Sequence, residues 1–353
     1  MEIDFDKVET LINEGFIYKQ VHSNGKLFIY NYTQKAQYEE KWTPETLQCR
    51  GLICDNNNNI IARPFKKFFN LSNYADQPDF FDKIQVHEVY EKLDGSLGIL
   101  YFYEGKPYIS TRGAFHSIQA AAAQEMLVNT YQNALPFLDK NLTYLFEIIY
   151  PENRIVVDYG DLKSLILLAV IDTRTGIEYP LEDFAHLGFP LVKRYNDLSD
   201  LKVIAGINES NREGFVIKFN NGLRVKIKFE EYTKLHKLIT EVTSKKIWQL
   251  LKDNIPFDSF LDKLPDEVYN WIRNTVNGFN ENYLKIEEEA RKNFTEVMSK
   301  IVDKTNRKEI AQQITTYANP GILFSMLDGK DYSKHIWRIL EPQHEVPVFN
   351  ISE

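Results

Sequence analysis

Cysteine is nearly missing from this chain: 353 residues contain only Cys49 and Cys54, too few for a disulfide framework or a four-ligand zinc site. Neither an HExxH segment nor a GxxxxGKS or GxxxxGKT phosphate loop occurs, so zinc-hydrolase and P-loop chemistry have no visible carrier. Excess positive charge is also lacking. The 42 basic side chains face 50 acidic ones for a net charge of -8, which rules out non-specific nucleic-acid binding by a bulk polycation. Any such site has to be a local patch. No run approaches the length of apolar sequence that spans a bilayer, and the start MEIDFDKVET has neither the basic nor the apolar region of a secretion signal. The expectation is a cytoplasmic protein without membrane spans. Core material, by contrast, is plentiful: 43% of residues are hydrophobic and 13% aromatic, over a length that suits about two domains.

From about Phe16 to Phe229 short β-rich runs alternate with turn chemistry: CDNNNN at 54–59, EGKP at 104–107, TRTG at 173–176 and FNNG at 219–222. Helices are expected at Ser117 to Tyr131, where an Ala-rich run follows a capping residue, and over a shorter stretch at Leu181 to Leu187. Past Tyr232 the texture changes to charged segments with helical spacing. Tyr283, Ile286, Ala290, Phe294, Val297 and Ile301 step by three and four, which predicts one helix burying that stripe. The spacing therefore predicts an α+β chain: a first domain over 1–235 built on antiparallel sheets with flanking helices, and an all-α domain over 236–353. No internal repeat is visible.

The chemistry concentrates in three segments. In EVYEKLDGSLGILYF, Lys92 ends a strand and Asp94-Gly95 reads as the turn to a returning strand, which puts an amine in a cleft. In LRVKIKF, period-two alternation places Arg224, Lys226 and Lys228 on one face and Leu223, Val225, Ile227 and Phe229 on the other. Such a row is either an exposed edge strand or a cationic wall for phosphates, and a wall would depress the pKa of a lysine opposite. Just upstream, EGFVIK pairs back through Asn220-Asn221-Gly222, carrying Glu213 to the far end of the neighbouring strand, where a carboxylate can hold a hard cation. In YLFEIIY, Glu147 interrupts an apolar strand, either on a solvent face or with a buried partner.

In order, CRGLICD, RPFKKFFNL, EKLDGS, TRG, LFEIIYPENRIVV, EGFVIK and VKIK resemble the covalent nucleotidyltransferases, and within them the RNA ligase 1 family, the phage-type ligases that reseal broken tRNA. The resemblance covers roughly residues 25 to 235. It implies a nucleotidyltransferase fold for the first domain, ATP as nucleotide, and magnesium as metal with manganese able to replace it. Lys92 would attack the α-phosphate of ATP and carry AMP; Glu147 would contact the ribose; Glu213 would help position the metal; and Lys226 and Lys228 would engage the α-phosphate. Arg50, Lys67 and Arg112 resemble phosphate contacts, Phe69 and Gly95 shape the nucleotide pocket, and Glu91 and Tyr232 join the nucleotide-binding set. Arg112 departs from the Thr-Lys-Gly pattern of the family yet keeps the charge. An early family tyrosine corresponds to Tyr30 or Tyr32. The partner implied is RNA with 3′-hydroxyl and 5′-phosphate ends, nicked tRNA among the candidates, bound by a monomer, with the helical domain recognising the substrate.

Capping guanylyltransferases and DNA ligases share the lysine chemistry, but they append an oligonucleotide-binding barrel where helical periodicity follows here. A module that binds RNA ends without catalysis is the alternative of another class, and the presence of Lys92, Glu147, Glu213, Lys226 and Lys228 together argues against it.

Overall fold

The computed structural model describes residues 3–75, 81, 84–255 and 266–343. It divides into two compact units, the first ending at Thr233 and the second beginning at Lys234. Among the described residues the first unit is built on thirteen strands. Strands β1 (Ile17–Val21), β2 (Leu27–Tyr32), β3 (Arg50–Asp55) and β4 (Ile60–Ala62) form an antiparallel sheet in that order. The next in chain order are β5 (Phe69–Asn70), β6 (Val86–Lys92), β7 (Ser96–Tyr103), β8 (Lys106–Thr111) and β9 (Leu142–Ile149). The last four are β10 (Ser164–Asp172), β11 (Glu178–Tyr179), β12 (Gly214–Phe219) and β13 (Arg224–Lys228). They make two more sheets, ordered β11-β10-β9-β7-β8 and β5-β13-β12-β6. The β5–β13 pair is parallel.

The five-stranded sheet packs on both faces, which explains the nearly unbroken apolar run of β9. Tyr144, Phe146 and Ile148 enter a cluster with Ala123 and Leu127 of the helix Ile118–Asn129. Leu145 faces the opposite way, with Ile29 and Ile53 of the first sheet. Glu147 continues the Leu145 face by period two, so it looks into the protein interior and not into solvent. The helix Ile118–Asn129 ends two residues short of the expected Tyr131 and is capped as anticipated, the Ala120 N–H donating to Ser117 Oγ at 3.0 Å. Leu181–Leu187 is a 3-10 helix stopped by Gly188 at φ 80°.

One expectation about the strands requires correction. The strands on either side of Asp94-Gly95 do not form a hairpin, because β6 belongs to the four-stranded sheet and β7 to the five-stranded one. The dipeptide is a crossover between sheets, and the Asp94 carboxylate is buried in it instead of turning outward. Of the two readings open for β13, the exposed edge drops out: the strand lies between β12 and β5, and Arg224, Lys226 and Lys228 are half-buried.

The second unit has the helices Ser244–Lys252, Asp266–Lys300, Arg307–Ile314, Pro320–Leu327 and Ser333–Ile339 and no strand among the described residues. The periodic stripe lies along the 35-residue helix Asp266–Lys300, with Ile301 just past its end. It packs against Ile310, Ile314, Ile322, Leu323 and Ile336, and each fully buried aliphatic side chain there contributes about 1.5–3 kcal/mol.

Candidate active site

Gly214 opens β12 and lies opposite Lys92 on one neighbour and Lys228 on the other. Its φ of 149° and its position against the Ile227 carbonyl oxygen leave no room for a Cβ, so only glycine lets the three strands close here. Glu213, the preceding residue, is thereby held between the two lysines. Its Oε2 accepts from Lys92 Nζ at 2.6 Å and its Oε1 lies 3.1 Å from Lys228 Nζ. Glu213 is 3% exposed and the lysine side chains 21% each. The alternation expected for LRVKIKF is present, but the three cations divide. Lys226 and Lys228 stay with Lys92, whereas Arg224 is gripped by Glu178, which also holds Lys218 at 3.1 Å.

Charge in this cleft is set by burial and by three carboxylates. Burial pulls the Lys92 ammonium down, but Glu213 and Glu147 outweigh it and hold the group above its ordinary range. This reverses the expectation of an amine already neutralised by its cationic neighbours: the side chain in contact is an acid. The amine shifted the other way is Lys226, which burial, Lys92, Lys228 and Lys67 push down to about 7. Glu147 is pushed up to about 8 by burial, with Glu213 and Asp94 adding to the shift and Lys92 opposing it. Burial pushes Glu213 up, but Lys92 and Lys228 more than compensate and keep it ionised.

Asp94 organises the crossover behind Lys92. Its Oδ2 accepts from the Val156 and Val157 N–H groups at 2.9 Å each, its Oδ1 accepts from Tyr232 Oη at 2.7 Å, and its own N–H donates to Tyr159 Oη at 2.8 Å. As an Asp in an Asp-Gly pair it read as a turn residue. Its burial beneath PENRIVV was the information the sequence lacked. Gly95 lies so close to β9 that a Cβ would sit 2.6 Å from the Ile148 carbonyl oxygen and 3.1 Å from Glu147 Cγ, so glycine is required by this contact. Tyr232, in the first turn of the helix Glu230–Glu241, also lies under the Lys228 ammonium, 5.0 Å from ring centre to Nζ.

A second cluster gathers Arg50, Lys67 and Arg112 around one phenol. Tyr32 Oη accepts from Lys67 Nζ at 3.2 Å and from Arg112 at 3.0 Å. Burial pushes the Tyr32 hydroxyl up, but Arg112, Arg50 and Lys67 bring it below its ordinary range. Tyr30 and Tyr32 are both buried, at 1% and 4% exposed, and of the two it is Tyr32 whose hydroxyl meets Lys67 and Arg112. The Lys67 ammonium sits over the rings of Tyr32, Trp42 and Phe69 at 4.8, 5.2 and 5.8 Å. Trp42 carried no motif and was missed. Arg50 rests on Phe68 at 5.6 Å, and its buried Nη1 has no hydrogen-bond partner among the described residues, the state expected of a group waiting for an anion. Lys67 is near enough to depress Lys226, and Arg50 near enough to feel Glu147.

Glu91 does not join either cluster with its side chain. It precedes Lys92 on β6, so it points to the opposite face, where its carboxylate holds Arg212 Nε at 3.0 Å. A metal ion would find no ready cage, because no group of three or more His, Cys, Asp or Glu converges among the described residues. The donors present fit magnesium carried in on substrate phosphates and completed by one or two carboxylates, those of Glu213 and Glu147.

A family model described as RNA ligase matches residues 48–233, more than half of the chain and every site residue from Arg50 to Tyr232. The chain belongs to the RNA ligase family. It is 28% identical over 288 residues to a putative RNA ligase of Thermovibrio ammonificans, covering 78% of this chain and 73% of the relative. A putative bifunctional polynucleotide kinase/RNA ligase of Autographa californica nuclear polyhedrosis virus is 27% identical over 289 residues, 73% of this chain but 42% of that longer protein. Among solved structures, an archaeal ATP-dependent RNA ligase aligns with a TM-score of 0.46 and 16% identity, covering 89% of this chain and 79% of that one. Membership makes this RNA ligase an enzyme and sets aside the capping, DNA-ligase and non-catalytic alternatives. No helix of the described residues is long and apolar enough to cross a membrane.

Proposed function

We propose that this RNA ligase joins a 3′-hydroxyl and a 5′-phosphate RNA end through AMP carried on Lys92. The observation that carries the reading is the Glu213 carboxylate shared by Lys92 and Lys228, with Lys226 on the same face of β13. It holds the attacking nitrogen in place next to cations suited to a phosphate.

The Lys92 amine forms an N–P bond to the α-phosphorus of ATP as the bond to the bridging oxygen breaks, and pyrophosphate leaves. Two protons depart from Nζ in total, one as the ammonium becomes an amine and one as the phosphoramidate forms. The 5′-phosphate of an RNA end then displaces Lys92 to give an RNA-adenylate, and the 3′-hydroxyl of a second end displaces AMP to close the phosphodiester. Lys226 and Lys228 stabilise charge on the transferred phosphate, and Glu147 positions the ribose. Arg50, Lys67 and Arg112, with Phe69 and Tyr32 behind them, bind the remaining phosphates. Magnesium or manganese held by Glu213 and Glu147 would supply further charge neutralisation on phosphate oxygens.

The division of labour assigns nucleotide chemistry to 1–235 and recognition of the RNA, nicked tRNA included, to the helices of 236–353, in a cytoplasmic monomer. The test is incubation with ATP labelled at the α-phosphate. The protein should retain label in the presence of magnesium, and Lys92→Ala should retain none; an adduct that survives Lys92→Ala removes the nucleophile. Nicked tRNA anticodon loops, linear single strands and nicked duplexes, assayed side by side, then rank the substrates.

A further inference from the structure

Beyond Arg224 along β13, the first unit contains a recess that shares Lys67 and Phe69 with the phosphate-binding cluster and whose other walls the chemistry above leaves unused. It is a cavity of about 540 Å³, with Arg63, Phe65, Lys66, Phe68, Tyr74 and Arg224 among its lining residues, a size that suits a small ligand or one unit of a polymer. Its walls are stiff. Arg63 donates to the Thr173 and Arg174 carbonyl oxygens at 2.9 and 3.3 Å and to Gln48 Oε1 at 3.3 Å. Arg224 is held by Glu178 with its guanidinium 4.5 Å from the centre of the Phe65 ring. Phe65 and Phe68 meet edge to face, centroids 6.3 Å apart and planes at 82°. Lys66 is exposed at the rim and has no hydrogen-bond or ion-pair partner among the described residues.

Half-buried rings, fixed planar cations and one unpaired ammonium are what a nucleobase and its phosphate require. Bases stack on aromatic rings and guanidinium planes regardless of sequence, and lysine neutralises the backbone. The negative charge nearest the cavity, Glu178, is already spent on Arg224 and Lys218.

The cavity is also in the right place. Arg224 and Lys226 share a face of β13 two residues apart, about 7 Å of strand, roughly the reach of one nucleotide. Lys67 lines the cavity while its ammonium donates to Tyr32 Oη, which also binds Arg112. The recess thus adjoins both phosphate-binding clusters.

We propose that this cavity holds one nucleoside of the RNA strand next to the end being joined, its base against Phe65 and Phe68 and its phosphate against Lys66. The inference rests on the RNA-joining reading of the Lys92 site. The nucleoside belongs either to the strand bearing the 5′-phosphate or to the strand bearing the 3′-hydroxyl, and two assays separate them.

Phe65→Leu removes a ring of the cavity at nearly constant volume, Phe65→Trp restores one, and Lys66→Ala removes the rim cation from an exposed site. Adduct formation with labelled ATP should stay within about twofold of the unaltered enzyme in all three. Phe65→Leu and Lys66→Ala should each raise the KM for one RNA by about fivefold or more, and Phe65→Trp should recover it. A rise for a 5′-phosphorylated oligonucleotide in AMP transfer assigns the donor strand. A rise for a 3′-hydroxyl oligonucleotide in sealing to pre-adenylated RNA assigns the acceptor. Unchanged KM values for both RNAs, or a rise confined to ATP, overturn the proposal. Should the unaltered enzyme form no adduct, the Lys92 reading fails by itself, and fluorescence anisotropy with a labelled 5′-phosphorylated oligonucleotide still decides the cavity: equal affinity for all variants rejects it.

Discussion

The Tyr232 hydroxyl donates to Asp94 Oδ1 across 2.7 Å, in a place where the carboxylate is 4% exposed. The other oxygen takes the Val156 and Val157 N–H groups, so one acid joins the crossover behind Lys92, the segment after PENR and the start of the helix Glu230–Glu241. Tyr232→Phe leaves Oδ1 without this donor and should cost about 1–3 kcal/mol, a drop of a few degrees in the thermal transition of the first unit. Asp94→Ala should cost more, because it leaves the Val156 and Val157 N–H groups and the Tyr232 hydroxyl without this acceptor. Calorimetry on the full chain checks both, and a Tyr232→Phe transition equal to that of the unaltered protein would show the bond to be idle.

Glu213→Gln removes the counter-charge of two lysines at once. With a buried ion pair broken, stability should fall by about 3 kcal/mol at neutral pH. The Lys92 pKa is raised in the folded protein, so its stabilising contribution is full below the unfolded value and lost only as pH rises through the folded one. Taking the acid away lowers that folded pKa. The pH midpoint of self-adenylylation should therefore move down in Glu213→Gln, even as the rate falls throughout because Lys228 is displaced as well. An unmoved midpoint in a rate–pH profile contradicts the role given to this carboxylate.

Lys226 has the opposite linkage. With its pKa pushed down to about 7, it is charged at pH 6 and mostly neutral at pH 8. The folded protein bears the cost of the buried charge below 7, and stability from this group grows as pH rises from there to the unfolded value near 10.5. A bound polyanion favours the charged form, so pyrophosphate binding should take up a proton near pH 8 and weaken between pH 6 and 9. Titration calorimetry in buffers of different ionisation enthalpy measures the uptake, which Lys226→Met should remove.

Gly95→Ala tests the close contact with β9. The added methyl would meet the Ile148 carbonyl oxygen at 2.6 Å, and the relief available is a shift of the crossover that carries Lys92. A displacement of about 1 Å at a reacting group costs on the order of 100-fold in rate, and the loss should appear in adduct formation while the far-ultraviolet circular dichroism stays unchanged. Equal adduct formation by the variant would mean that the crossover gives way at no cost to the site.

The legible parts of this protein were those where spacing dictates geometry. Period two put Arg224, Lys226 and Lys228 on one face, the Asn220-Asn221-Gly222 turn delivered Glu213 beside them, and Ser117 marked its helix. The same parity argument could have moved Glu91 off the face of Lys92, since adjacent strand residues point apart. Other features depended on distant partners. Nothing local distinguishes Trp42 or Tyr32 from ordinary β-sheet aromatics until Lys67 is placed among them. Asp94-Gly95 has the composition of a hairpin turn, and only the burial of its carboxylate reveals a crossover. The sequence placed Glu213 beside the cations, but that its carboxylate reaches Lys92 as well as Lys228 shows only once β6 is paired with β12.

On the proposed mechanism that acid would register whether the enzyme is loaded. A lysine bonded to phosphorus is no longer a cation, so with AMP attached the Glu213 oxygen that meets Lys92 at 2.6 Å would lose its ionic partner while its twin keeps Lys228. A cation carried in with the RNA would then meet a stronger ligand there than one carried in with ATP.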